Sequence, residues 1–235
     1  MLHIWGRITS LNVRKVVWAA QECGVPFQRT DAGRAFGIVQ TDAYKALNPN
    51  ALVPTLEDGE LVLWESNVIV RYLLAKYGAP TLAAAPAALP PEGAPACLGR
   101  PGAAPDGPAE MYPTDLAARF DAERWMDWQQ TTLNRAGGPA FMQWIRTAPE
   151  QRDMAAIAAS VAATEPLLRQ LDAHLQKQPF MAGNHFTMAD IPIACEVHRW
   201  LNLPQPYPAL PALERWYQAV STRPATRGVL DVPLA

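Results

Sequence analysis

A proline-rich stretch in the middle of the chain most constrains how the protein can fold. Residues 79–112 are mostly alanine, proline and glycine, and nine of the 23 prolines lie between Pro80 and Pro113. Proline interrupts helices and sheet ladders, and a segment of this composition buries little apolar surface. The stretch therefore predicts a linker or insertion over 79–112, between a first domain of residues 1–78 and a second domain of residues 113–235.

The first domain combines strand and helix patterns. Asp58-Gly59, between two short apolar runs, is a strong hairpin signal. Gly24 and Pro26 are typical of the end of a helix that Ser10 begins. The predicted strands cover 2–6, 27–30, 53–56 and 60–64, and the predicted helices cover 10–23, 41–47 and 66–77. The predicted order is β-α-β-α-β-β-α.

The second domain has helical patterns and almost no strand signal. The predicted helices cover 115–135, 155–175, a run from 191 and 210–221. Thr187 and Asp190 have the spacing of a capping box just before the third of these, and we interpret them as structural. The fold class predicted from both parts is an α/β domain joined to an all-helical domain.

Charge and cysteine usage exclude several classes of protein. Lys and Arg number 20 against 22 for Asp and Glu, so the chain lacks the basic excess of nucleic-acid and membrane-surface proteins. No apolar run is long enough to span a membrane, and the first residues lack a signal-peptide pattern. Three distant cysteines fit a reducing compartment and no zinc site. We therefore predict a cytoplasmic protein without a metal, a membrane or a nucleic-acid partner.

Five segments carry a family resemblance. They are SLNVRKV (10–16), NPNALVPTL (48–56), LEDGELVLWES (56–66), ESNVIVRYL (65–73) and GNHFTMADIPIA (183–194). In this order and spacing the chain resembles the soluble bacterial glutathione S-transferases, in the branch with a serine or threonine hydroxyl at the active site. The resemblance implies a thioredoxin-like N-terminal domain, a helical-bundle C-terminal domain and a homodimer. It also implies glutathione as co-substrate and a role in detoxification.

The predicted catalytic hydroxyl belongs to Ser10, at the start of the first helix. A helix N-terminus favours an anion, and a hydroxyl there can donate a hydrogen bond to a thiolate. The simpler interpretation of Ser10 is a helix N-cap, which needs the same position. Thr9 is the alternative hydroxyl. Asn12 lies where some relatives place an active-site asparagine.

The resemblance assigns glutathione binding to two further segments. It implies a cis bond between Val53 and Pro54, with the backbone of Val53 pairing with the cysteinyl part of glutathione. It places the γ-glutamyl group on Glu65 and Ser66, where a carboxylate can accept from the ammonium and a hydroxyl can donate to the carboxylate. A helix cap is the alternative role for this pair. Asn67 is a weaker candidate to assist.

One position departs from the family pattern. Many relatives carry a lysine two residues before the cis proline, where it meets the glycyl carboxylate of glutathione. This chain has Leu52 there. Either Arg34 or Gln40 replaces the lysine, or glutathione binds more weakly.

Four other residues have candidate roles. Trp125 and Trp128 are interpreted as core residues, with a contact to the second substrate as the alternative. Glu123 lies where some relatives reach the glutathione of the partner subunit. Cys23, at the far end of the first helix from Ser10, is interpreted as a packing residue.

The predicted function is a glutathione S-transferase that activates the thiolate for attack on an electrophilic small molecule. A glutathione-dependent peroxidase or disulfide reductase on the same scaffold is the first alternative, and Asn12 beside a hydroxyl supports it. A non-catalytic binding module is the second. The sequence does not name the electrophile, because its pocket is built from side chains spread over the helical domain.

Overall fold

The computed structural model describes residues 1–78 and 110–235, so residues 79–109 of the predicted linker lie outside the described residues. The first part forms the predicted alternation of strands and helices. Its elements are β1 (Leu2–Trp5), α1 (Leu11–Glu22), β2 (Phe27–Thr30), α2 (Asp42–Leu47), β3 (Thr55–Asp58), β4 (Leu61–Trp64) and α3 (Ser66–Tyr77). The predicted order β-α-β-α-β-β-α is confirmed.

The four strands form one mixed sheet in the order β2-β1-β3-β4. β1 and β2 are parallel, with Leu2 opposite Phe27. Parallel neighbours need a crossover connection, and α1 provides it. β3 runs antiparallel to both β1 and β4. This mixed sheet with its helices is the thioredoxin-like domain that the resemblance implies.

The hairpin of β3 and β4 differs from its prediction by two residues at the start. The predicted strand over 53–56 begins only at Thr55, after Pro54, which has no N–H to donate to a ladder. Asp58 still pairs with Leu61. The turn therefore falls at 59–60 instead of 58–59.

The second part is helical, as predicted. Its α-helices are α4 (Leu116–Trp128), α5 (Asn134–Phe141), α6 (Met154–Leu175), α7 (Asp190–Leu201) and α8 (Pro211–Ser221). None of the helices in residues 1–78 and 110–235 is both long and apolar enough to cross a membrane.

The predicted helix over 115–135 is helical in the structure, but it contains a π-helical turn and extends to Phe141. α4 ends at Trp128 and continues as a π-helical turn over Gln129–Leu133, and α5 then extends through Gly137, Gly138 and Pro139. Two glycines followed by a proline are unfavourable inside a helix, because both residue types have low helix propensity. Here a β-carbon on Gly137 would lie 3.4 Å from the Trp200 ring on α7. Tertiary packing of α5 close against α7 thus outweighs the local preference.

One apolar core runs through both parts of the chain, and α1 is at its centre. α1 packs against α3 in the first part and against α7 in the second. Trp18, Met126 and Trp216 are among its largest buried side chains. The proposed domain limits at 78 and 113 stay a prediction.

The start of α7 has the structural cap that the sequence predicts. The Thr187 N–H donates to Asp190 at 2.8 Å, and the Trp216 indole N–H donates to the same carboxylate at 2.8 Å. Asp190 is fully buried, and this burial raises its pKa to about 6. The carboxylate therefore ties α7 to α8 and does no chemistry at the surface.

Candidate active site

Ser10 occupies the N-cap position of α1, with extended backbone angles of φ −79° and ψ 125°. Its carbonyl accepts the Arg14 N–H at 3.0 Å. An N-cap serine ordinarily uses its hydroxyl to accept a backbone N–H of the first turn. The Ser10 side chain makes no capping hydrogen bond. Its hydroxyl therefore stands at a helix N-terminus without the task that the simpler interpretation gives it.

A cavity of about 160 Å³ opens at this end of α1. Thr9, Ser10 and Asn12 all line it. The Asn12 Oδ1 is buried and finds no hydrogen-bond partner in the described chain. The other lining residues come from both parts of the chain and are Arg7, Leu11, Arg14, Arg34, Asn134, Phe141, Arg146, Cys195, His198, Arg199 and Leu234.

The loop before β3 is organised around the carbonyl of Leu52. That carbonyl accepts the Tyr44 hydroxyl at 2.7 Å and the Asn48 amide at 3.0 Å. Both side chains also bond the Thr55 hydroxyl, at 2.8 and 3.1 Å. These bonds hold the residues on either side of the Val53-Pro54 bond, which is cis as the resemblance implies. The Leu52 side chain is 65% exposed.

Val53 lies beside the cavity residue Arg7, with Gly33 between them. A β-carbon on Gly33 would lie 3.0 Å from the Arg7 Nη1 and 3.5 Å from the Val53 Cγ1. Gly33 also has a φ of +81°, which side-chain-bearing residues rarely adopt. A glycine at this position thus lets the loop bring Arg7 next to the predicted glutathione contact.

Glu65 and Ser66 mark the start of α3. Glu65 has a φ of +71°, an uncommon backbone conformation for a residue other than glycine. Its side chain is exposed and does not cap the helix. Ser66 is buried, and its hydroxyl lies 3.5 Å from the Nζ of Lys15. The predicted γ-glutamyl pair thus consists of an exposed carboxylate and a buried hydroxyl, both near the buried cation of Lys15.

Lys15 begins a buried polar network that sequence reasoning missed. Its ammonium donates to the Gln129 Oε1 at 2.8 Å and to the Gln130 Oε1 at 3.2 Å. The Gln129 amide donates to Glu196 at 3.0 Å, and Glu196 is paired with Arg199. This Lys15 network joins α1 to the π-helical turn and to α7.

Burial dominates the electrostatics of the Lys15 network. Lys15 is completely buried, which lowers its pKa to about 8, while Glu196 opposes this shift. The one sequence signal was a lysine between the buried positions Val13 and Val16 of an amphipathic helix. That position alone does not reveal which partners it meets.

Three arginines from distant segments face each other at the cavity. Burial lowers the pKa of Arg146 to about 10, and the nearby charges of Arg34 and Arg7 add to this effect. Burial, together with Arg34, also lowers the pKa of Arg7. Like charges at close range disfavour the charged form of each.

Three of the weaker candidates contact other parts of the protein. The Asn67 amide nitrogen donates to the Met126 carbonyl at 2.7 Å, while its Oδ1 is buried and meets no donor among the described residues, so its help with glutathione stays a prediction. Trp125 is buried, and its ring centroid lies 5.4 Å from that of Trp128. Neither tryptophan lines the cavity beside Ser10. The interpretation of Trp125 as a core residue is confirmed.

Cys23 and Glu123 also have local partners. The Cys23 thiol lies 3.5 Å from the Leu73 carbonyl, and burial raises its pKa to about 12, which confirms the packing interpretation. Glu123 lies 3.9 Å from Arg71. The described residues contain no cluster of three or more His, Cys, Asp or Glu side chains that could hold a metal ion.

Comparison with known families gives two matches. The model described as the N-terminal domain of glutathione S-transferase matches residues 9–76. The model described as the C-terminal domain of glutathione S-transferase matches residues 136–224. Together they include α1, the loop before β3, most of α3 and of α5, and the helices from α6 to α8.

Individual proteins align over the full length. The chain is 39% identical over 237 aligned residues to glutathione S-transferase GstB of Escherichia coli K12, with 100% of both chains covered. It is 27% identical to human glutathione S-transferase theta-1, over 93% of this chain and 82% of that protein. A solved theta class glutathione S-transferase from Xanthomonas axonopodis pv. citri, with glutathione bound, has a TM-score of 0.84 at 39% identity. That alignment covers 100% of this chain and 99% of the other.

Proposed function

The chain belongs to the glutathione S-transferase family, and we propose that the Ser10 hydroxyl activates the thiol of glutathione for attack on an electrophilic small molecule. The chain is a glutathione transferase, as the relatives that match it over their full length are. One observation carries the proposal. Ser10 lies at the N-terminus of α1 and lines the cavity, but its side chain makes no hydrogen bond that caps the helix.

The energy required is within reach of one helix N-terminus and one hydroxyl. An ordinary thiol has a pKa of about 8.5, and lowering it to about 6.5 needs roughly 2.7 kcal/mol. A hydrogen bond to a charged group contributes about 1.5–3 kcal/mol, and a helix N-terminus adds about 0.3–1 kcal/mol. Serine is too weak a base to remove the thiol proton near neutral pH. Its role is to stabilise the thiolate once the proton has gone to solvent.

The peptide part of glutathione is assigned to the first domain. The backbone of Val53 pairs with the cysteinyl residue, and Pro54 fixes the turn that presents it. Glu65 accepts from the ammonium of the γ-glutamyl group, and Ser66 donates to its carboxylate. Two observations support this assignment: the Glu65 carboxylate is exposed and does not cap α3, and the Ser66 hydroxyl is buried beside Lys15.

The glycyl carboxylate is the least defined contact. The exposed Leu52 side chain has no charge to offer, and Arg34 and Gln40 remain the proposed replacements. Arg34 lines the cavity with Ser10, which favours it over Gln40. The electrophile, the homodimer and the action in the cytoplasm also remain proposals that come from the family.

The test is the thiol pKa of bound glutathione, read from thiolate ultraviolet absorbance against pH. We expect a pKa at least one unit below that of free glutathione. Ser10→Ala should raise it by about 1–2 units, equivalent to losing one charge-assisted hydrogen bond, with glutathione affinity largely kept. Conjugation at pH 6.5 should fall by about ten- to a hundredfold.

Two variants serve as comparisons for Ser10→Ala. Ser221→Ala, at the end of α8, is the control and should match the wild type. If Thr9→Ala raises the thiol pKa and Ser10→Ala does not, the assignment of the hydroxyl is wrong.

A parallel assay with a disulfide and a halo-aromatic substrate separates a transferase from a disulfide reductase. Failure to bind glutathione would favour a binding module.

A further inference from the structure

The cavity beside Ser10 is rich in one kind of charge. Five of its lining residues are arginines, namely Arg7, Arg14, Arg34, Arg146 and Arg199. None of the described residues that line it is an aspartate or a glutamate. The whole chain has no such excess, because its net charge is −2. The positive charge is therefore concentrated at the cavity beside Ser10.

Most of this charge has no carboxylate partner. Arg199 is paired with Glu196. Arg14 is 1% exposed and donates to the carbonyls of Ile8, Val232 and Pro233, but its Nη1 is buried without a partner. Among the described residues, Asp231 is the carboxylate whose charge acts on Arg14, and it lies outside the lining.

Arg7 and Arg146 also keep buried N–H groups without an acceptor. Each has a buried Nε that meets no acceptor in residues 1–78 and 110–235. Buried polar groups in folded proteins are nearly always hydrogen-bonded, and each exception calls for an explanation. A bound anion would give these donors the acceptor that the chain itself does not provide.

The size and walls of the cavity limit what the anion can be. Its volume of about 160 Å³ is close to that of a cavity that accommodates benzene, about 150 Å³. The Phe141 ring forms an apolar wall between two guanidinium groups, Arg146 at 5.3 Å and Arg199 at 5.0 Å from its centroid. Leu11 and Leu234 add apolar surface. The space suits a small molecule with a short carbon skeleton and one charged end.

We propose that the second substrate is a small electrophile carrying a carboxylate, which Arg146 and Arg7 bind while its reactive carbon faces Ser10. This inference rests on the proposed function. For a haloalkanoate, the glutathione sulfur forms a bond to the α-carbon, the carbon–halogen bond breaks, and the halide leaves with the electron pair. The thiol proton has already gone to solvent. The arginines hold the carboxylate and take no part in bond making.

The test compares two probes of nearly equal size that differ in charge. Chloroacetate and chloroacetamide are assayed at saturating glutathione, and each kcat/KM is divided by the uncatalysed rate constant of the same probe. We expect the wild type to favour chloroacetate by about tenfold or more, the factor for roughly one charge-assisted hydrogen bond. Arg146→Met should remove about tenfold of this preference, mainly through a higher KM for chloroacetate, and Arg146→Lys should restore part of it. Arg169→Met, an exposed arginine paired with Glu165, is the matched control and should keep the wild-type ratio.

A carboxylate at these arginines could also be that of the glycine of glutathione. In that case Arg146→Met weakens glutathione binding and slows both probes by the same factor, which overturns the inference. A wild type with no preference for chloroacetate also overturns it, as does a preference that persists in Arg146→Met. Turnover of a neutral halo-aromatic with none of chloroacetate overturns it and leaves the proposed function in place. No turnover of any electrophile and no lowered thiol pKa would overturn both.

Discussion

Two cationic clusters lie where α1 meets the helical part of the chain, and they differ in their partners. In the Lys15 network every charged group has a partner. Lys15 donates to Gln129, the Gln129 amide donates to Glu196, and Glu196 pairs with Arg199. In the cavity, Arg7, Arg14 and Arg146 keep buried N–H groups that meet no acceptor in the described chain.

The presence or absence of partners distinguishes the roles of the two clusters. Removing a charge from water costs several kcal/mol unless partners compensate for it, so a satisfied cluster inside the protein holds elements together. An unsatisfied cluster at the edge of a cavity gains its compensation from a ligand. By this criterion the Lys15 network joins the two parts of the chain, and the arginines select a substrate.

The largest effect is expected from breaking the satisfied cluster. Glu196→Ala leaves the buried Arg199 with only the neutral Asn134 side chain as acceptor and removes the carboxylate that accepts the Gln129 amide; Glu196 is only 2% exposed. We expect the free energy of unfolding to fall by about 3–5 kcal/mol, as for other buried pairs that lose one partner. Urea denaturation measures it.

Glu165→Ala is the matched control for Glu196→Ala. It removes an exposed glutamate that pairs with Arg169 four residues along α6, so it should cost less than about 1 kcal/mol. Equal losses in the two variants would show that the Lys15 network does not stabilise the junction.

The second effect depends on pH and concerns Lys15. An unfolded lysine has a pKa of about 10.4, and burial lowers that of Lys15 to about 8. Between these values the unfolded chain holds a proton that the folded chain has lost, so the free energy of unfolding rises with pH. Below about pH 8 both states hold the Lys15 proton, so the contribution of Lys15 to the free energy of unfolding does not change with pH. Between about pH 8 and pH 10, the free energy of unfolding of the wild type should therefore rise by on the order of 2 kcal/mol more than that of Lys15→Met.

Denaturant titrations at several pH values test this rise. Lys45→Met, an exposed substitution on α2, is the control and should keep the pH dependence of the wild type. Parallel curves for the wild type and Lys15→Met would mean that Lys15 stays protonated when folded. The network would then hold an ammonium throughout this range.

The smallest effect is expected from the unsatisfied cluster. Among the described residues Arg146 has no carboxylate partner, so Arg146→Met breaks no ion pair there. It removes the contact of the guanidinium with the Phe141 ring, 5.3 Å to the centroid, and relieves repulsion from Arg7 and Arg34. Because a cation–π contact is worth about 0.5–1 kcal/mol and the two effects oppose each other, we expect the free energy of unfolding without ligand to change by less than about 1 kcal/mol. A loss of 2 kcal/mol or more would remove the contrast between the clusters, because Arg146 would then be structural.

Local signals in the sequence were enough for the order of the elements and for the position of the hydroxyl. The Asp58-Gly59 signal placed the hairpin, and Ser10 followed by apolar residues at helical spacing placed the start of α1. Caps, turns and periodicity act within a few residues, so they can be interpreted without knowing the fold. The family resemblance added the roles of Val53, Glu65 and Ser66, which remain proposals.

Only the tertiary structure decided which side chains meet across the two parts of the chain. Lys15 and Gln129 are 114 residues apart, and the contact depends on a π-helical turn that the helical period did not predict. Arg7, Arg34 and Arg146 are equally scattered, and each by itself resembles an ordinary surface arginine. Whether a buried cation is satisfied depends on acceptors that distant elements supply, and no local pattern contains them. The sequence by its local signals therefore indicated the hydroxyl at the start of α1, and the packing of α5 and α7 against α1 brought the arginines around it.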